Sequence, residues 1–194
     1  QGEEDVVRLD WMLGAGNCYQ DERLVASFTA QLLKEGTRSK SSSEIADELD
    51  FYGSWLQLSC SHQYAYVTFY ALNKYLPKVM SLANEIIFEP TFPEKEFHTY
   101  KEIKKKQNIM DSQKVGYMAH YQFLKSLYGE EHPYGRIAEP KDFDNIKLEW
   151  IKEFHKKFYV TENCMVFVTG KVTDEVEKTI CSALESIAPS GRKI

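Results

Sequence analysis

The sequence predicts an α+β fold in which a mostly antiparallel sheet carries helices packed on one face. Three observations point there. Short alternating runs of β-branched and aromatic residues occur at 5–13, 54–61, 64–72 and 164–169. Longer runs with a helical apolar period fill the chain between them and after the last. No repeat, linker or low-complexity stretch interrupts the series before a polar tail at 189–194, so residues 1–188 read as one unit. At 194 residues, with 43% apolar and 13% aromatic side chains, the chain is long enough for a substantial core.

Each element has a local reason. From Asp5 to Leu13, Val7, Leu9, Trp11 and Leu13 alternate with Arg8, Asp10 and Met12, which gives a strand with one buried face. Ala15-Gly16-Asn17 turns the chain into a helix over Glu22 to Glu35, where Leu24, Val25, Phe28 and Leu32 form an apolar face and Gly36 occupies the place of a left-handed C-cap. Ser27, Ala30, Gln31 and Lys34 share the adjoining face. Ser41 to Ser43 cap a second helix with Ile45, Leu49 and Phe51 inward, closed by Tyr52-Gly53. Ser61-His62-Gln63 joins two strands into a hairpin. Asn73 is expected to cap a helix through Phe88 whose inward stripe is Leu76, Val79, Leu82, Ala83, Ile86 and Ile87; Pro90 ends it. A charged helix over Glu94 to Met110 follows, and another over Val115 to Tyr128, with Met118, Tyr121 and Leu124 or Leu127 inward. Helix, strand and helix at 146–158, 164–169 and 174–187 close the chain.

Composition excludes several function classes. A formal charge of −5 and a pI near 5.6 argue against nucleic acid or an anionic membrane as partner. The basic runs Lys101 to Lys106 and Lys156-Lys157 read as solvated helix faces. No run approaches the roughly 18 apolar residues of a membrane helix. The N-terminus carries no signal-peptide pattern, and the compartment stays open. Cys18, Cys60, Cys164 and Cys181 lack C-x-x-C spacing, so they signal neither a zinc knuckle nor a redox pair. There is no G-x-S-x-G elbow, and the Ser39 to Ser43 cluster lacks the glycines of a phosphate-binding loop. Among the histidines, Glu94, His98 and Glu102 share a helix face at i, i+4 and i+8, a weak candidate for a surface metal site against the more ordinary solvated stripe. His132 reads as a loop-fixing residue, His62 lies at a hairpin tip, and His120 and His155 read as helix packing residues.

The string Gly36-Thr37-Arg38, the Ser41 to Ser43 cap and Tyr52-Gly53 form an ordered series with Pro90-Thr91-Phe92-Pro93, Leu127-Tyr128-Gly129, His132-Pro133-Tyr134-Gly135, the segment 151–168, Gly170 and Asp174. In order and spacing this series, from about Val6 to Ile187, resembles the M16 peptidases: pitrilysin, insulinase and mitochondrial processing peptidase. In active members a helix ending in a similar Gly-Thr carries H-x-x-E-H. Aligned on Gly36-Thr37, the first His becomes Ser27, the Glu becomes Ala30 and the second His becomes Gln31. A hydroxyl, a methyl and a neutral amide can neither hold Zn²⁺ from one helix face nor take a proton from a bound water. The third ligand in active relatives is a Glu on a later helix; here Glu102 lies nearby and reads as a solvated residue.

The resemblance therefore implies a non-catalytic half, itself inactive and without a cofactor, that pairs with a zinc-bearing half or subunit to enclose unfolded peptides for metalloendopeptidase activity. Two alternatives stand beside it: a structural assembly subunit without proteolysis, and a hydrolase with substituted metal ligands. The family also places a strand ahead of the first one found here, so the chain either does without it or is part of a longer protein. An isolated unit of this kind is expected to self-associate through apolar surface that meets its neighbours.

Overall fold

The computed structural model describes residues 4–187, so the predicted polar tail lies outside the described residues. Four antiparallel strands form one sheet in the order β2-β3-β1-β4, with β1 Val6–Leu13, β2 Trp55–Cys60, β3 Ala65–Leu72 and β4 Cys164–Gly170. The first strand is thus interior, with Leu9 opposite Phe69 on one side and Val168 on the other. The α+β architecture expected from the alternating runs is the one observed.

Alternation decides which face is covered. Val7, Leu9, Trp11 and Leu13 of β1 and Ala65, Val67, Phe69 and Ala71 of β3 are buried. Each large member contributes roughly 1.5–3 kcal/mol through burial. Over them lie α1 (Val25–Leu32) and α3 (Leu76–Phe88), with α7 (Leu148–Phe158) packed on α1 and α8 (Asp174–Glu185) on α3. The predicted α3 stripe is buried in full. On the other face the rows Trp55-Tyr70-Arg8-Thr169, Gln57-Thr68-Asp10-Phe167 and Ser59-Tyr66-Met12-Met165 run across the four strands. Arg8 and Thr68 both donate to Asp10 Oδ1, at 2.8 and 2.6 Å, while Trp55, Met165 and Phe167 remain exposed.

Several local expectations are corrected. The first long helix is shorter than predicted: α1 starts at Val25 after a left-handed Leu24 (φ 74°) and tightens into a 3-10 turn at Leu33–Glu35. Gly36 has φ 157° and ψ 145°, a positive-φ conformation that favours glycine but is not the αL of a C-cap, and it bridges Ser41. In α2 (Ser42–Phe51), Ser41 forms the cap with Glu44 as its reciprocal partner. Phe51 is 75% exposed; Tyr52, at i+7 from Ile45, packs against the core in its place. Asn73 opens a 3-10 turn, and its Nδ2 donates to Lys171 O at 3.0 Å, so it ties the sheet end instead of capping α3.

A short helix the sequence reading missed, α6 (Pro140–Asn145), starts with Pro at its first turn and a Glu139–Asp142 capping box. The charged helix α4 (Glu94–Asp111) buries only Phe97, and α5 (Val115–Tyr128) buries nothing: Met118, Tyr121 and Leu124 are half-buried, and Leu127 is exposed.

Candidate functional site

The motif helix is among the most thoroughly buried elements of the protein. Val25, Ala26, Phe28, Thr29, Ala30 and Leu32 are all buried, and Thr29 Oγ1 returns a hydrogen bond to Val25 O at 2.7 Å. Of the three positions expected to align with the zinc motif, Ala30 is wholly inside. Ser27 is half-buried and its Oγ donates to Leu24 O at 2.9 Å, within its own helix. Gln31, one turn on, donates from Nε2 to Leu58 O of β2 at 2.8 Å. The two polar side chains at the i and i+4 positions are thus engaged in backbone hydrogen bonds. Neither a hydroxyl nor an amide is a zinc donor of the usual set, so these positions do not fit the ion.

The wall facing α1 from α4 is aromatic. Phe28 meets Tyr100 edge-on at 4.8 Å and Phe97 at 6.2 Å, and Phe143 of α6 closes the third side at 6.2 Å. Burial pushes the Tyr100 hydroxyl up to about 12 and raises the nearby Glu35 carboxyl. Lys104 lies over the Tyr100 ring and Lys101 over Phe97. Two residues make about 200° of helix, so Glu102 falls on the side away from Tyr100 and Lys104, and it is exposed. Glu94 and His98 lie 3.7 Å apart on the exposed face of α4. Among the described residues no group of three His, Cys, Asp or Glu is placed to hold a metal ion.

The loop after α1 contains a feature that sequence reading overlooked. Glu85 of α3 accepts Thr37 Oγ1 at 2.5 Å, Lys40 Nζ at 3.0 Å and also the Ser39 hydroxyl. Burial works to raise the Glu85 carboxyl, but the bonds from Ser39, Thr37 and Lys40 outweigh it and hold it at about 2. Lys40 also pairs with Glu48 of α2 at 3.6 Å, so the Gly-Thr loop is pinned to two helices at once. The sequence signal was present in Thr37, Ser39 and Lys40, but the partner lies 45 residues or more away.

Of the remaining histidines, His120 is exposed on α5, against the packing role expected of it, whereas His155 is packed. His155 donates from Nε2 to Ile87 O at 2.8 Å and stacks on Tyr159; burial lowers it to about 4. The Tyr134 N–H donates to His132 Nδ1 at 3.1 Å, which fixes the loop as expected, and Tyr134 meets His62 of the hairpin tip at 4.2 Å.

Comparison with known proteins agrees with this architecture. The family model described as insulinase (peptidase family M16) matches residues 4–134. The α-1 subunit of the mitochondrial-processing peptidase of Dictyostelium discoideum is 26% identical over 180 residues, 91% of this chain and 28% of that protein. The uncharacterized zinc protease YmxG of Bacillus subtilis is 20% identical over 176 residues, 87% of this chain and 42% of its own length. Among solved structures, a peptidase M16 inactive domain from Pseudomonas fluorescens superposes with a TM-score of 0.92 at 23% identity, over 100% of this chain and 48% of the other. The chain spans less than half the length of each. The family match over residues 4–134, set in this four-stranded sheet, places the chain in the insulinase family, peptidase family M16.

Proposed function

We propose that this chain is a non-catalytic M16 unit that pairs with a zinc-bearing half or subunit and supplies wall, shape and charge to a chamber enclosing unfolded peptides. One observation carries the reading. The motif helix is retained as deeply packed scaffold while the three positions that would do chemistry are Ser27, Ala30 and Gln31, with both polar members spent on backbone carbonyls. Zinc and the proton-transferring carboxylate then belong to the partner, and no bond-breaking step is assigned to residues of this chain.

Two further features support pairing. Exposed Trp55, Met165 and Phe167 on the uncovered sheet face, and exposed Val115, Phe123 and Leu127 on α5, offer apolar surface that a neighbour could cover. The Pseudomonas relative of closely similar fold is described as an inactive domain, and the Dictyostelium relative as a subunit of a processing peptidase.

The test is capture of the full-length native protein from its own cells, followed by mass spectrometry and a peptidase assay with and without chelator. Chelator-sensitive cleavage recovered with an H-x-x-E-H sequence, in the same or another chain, is the expected result. An inert eluate without such a sequence would leave the assembly-subunit reading in its place.

A further inference from the structure

The free edge of β2 runs beside the motif helix, and Gln31 occupies part of it. The hairpin fixes which groups face outward. Ser61 N–H donates to Tyr64 O at 2.8 Å, so Ser59, Gln57 and Trp55 exchange bonds with Tyr66, Thr68 and Tyr70. The alternate residues Leu56, Leu58 and Cys60 therefore turn their N–H and C=O groups away from β3. Since β2 is an end strand of the sheet among the described residues, those groups form its open edge. An extended segment laid along this edge would need the Leu58 carbonyl as an acceptor. That carbonyl already receives Gln31 Nε2 at 2.8 Å.

We infer that Gln31 is a latch on the β2 edge: by holding the Leu58 carbonyl it competes with an incoming extended peptide and keeps the edge from pairing freely. The chemistry is specific to the amide at this position. Gln31 is half-buried on a helix whose other contacts hold it in place, so the competing donor is tethered and pre-positioned. An alanine there removes the donor and leaves the helix intact, because the side chain is not part of the buried set of α1. The occupant is an extended peptide with free N–H groups, recognised through its backbone. This inference rests on the chamber reading only for where such a peptide comes from, and its test uses this chain alone.

The experiment measures fluorescence anisotropy of a labelled, proline-free decapeptide of alternating Val and Lys against the wild-type chain, Gln31→Ala and Gln31→Glu. Thermal unfolding of all three confirms the fold. One intramolecular hydrogen bond sets the scale, so Gln31→Ala is expected to bind the probe about three- to ten-fold more tightly than wild type. Gln31→Glu, which also lacks the donor, should bind at least as tightly as wild type. The gain should vanish with a probe whose alternate amides are N-methylated. Equal or weaker binding by Gln31→Ala, no binding by any chain, or a gain that survives N-methylation would overturn the latch. Partner capture in cells is unaffected by any of these outcomes, so failure of the latch and failure of the chamber reading are separable.

Discussion

Helices α1 and α5 are both regular and both carry apolar residues, yet they sit at opposite ends of integration. In α1, six of eight residues are buried, and the motif positions are absorbed into internal hydrogen bonds. In α5, none of 14 residues is buried, although Val115, Ala119, Phe123 and Leu127 recur every four residues on its outward side. An element held by its own fold explains its apolar residues through the core. One that is not held this way points to a surface elsewhere. The contrast separates what the domain needs to fold from what it offers to a neighbour, and Ser27, Ala30 and Gln31 fall on the folding side.

Substitutions at the two helices should therefore behave in opposite ways. Phe28→Ala empties the junction of α1, α4 and α6 and should cost about 3–5 kcal/mol in urea unfolding. A cost below about 1 kcal/mol would mean that α1 is not the scaffold described. The same covered side predicts an acid response. Half-buried His155, packed between Phe92 and Tyr159, is lowered to about 4 from the 6.5 of an unfolded histidine. Its folded value is depressed, so the unfolded chain binds the proton first as pH falls. Stability from His155 is complete above pH 6.5 and declines toward pH 4, by up to about 3 kcal/mol. His155→Phe should flatten that window in a series of urea titrations. A slope unchanged in the variant would place the acid sensitivity elsewhere.

The smallest effect on stability is expected at α5. Phe123→Asp with Leu127→Asp should leave unfolding within about 0.5 kcal/mol of wild type, because both side chains already meet water. The same double variant should reduce self-association in sedimentation and recover less partner from cells. If stability collapses instead, α5 is packed more tightly than its exposure indicates, and the contrast with α1 fails.

Much of the covered side was legible in the sequence, because periodicity reports burial. The alternation Val7-Leu9-Trp11-Leu13 and the stripe on α3 appear in the structure as read. Where two residues compete for one inward position, the pattern misleads: Phe51 is the more hydrophobic, but helical phase selects Tyr52. Asn73 had the chemistry of a cap, and a distant carbonyl at Lys171 claimed it first. The short α6 was missed, although Pro140 and the Glu139–Asp142 pair are helix-start signals, because six residues carry no measurable period. Ser27, Ala30 and Gln31 can be singled out from the sequence, but the bond that Gln31 makes cannot. Its partner Leu58 lies 27 residues away on a strand edge, and only the hairpin register shows that edge to be open.

The most direct test of the central claim is zinc content, measured by atomic emission on this chain alone after zinc loading and dialysis, and on the assembly captured from cells. The account predicts no retained zinc on the chain alone and about one zinc per catalytic partner in the assembly. Stoichiometric zinc retained by the chain alone, lost on Glu102→Gln, would contradict it and restore this domain as a metal-binding half.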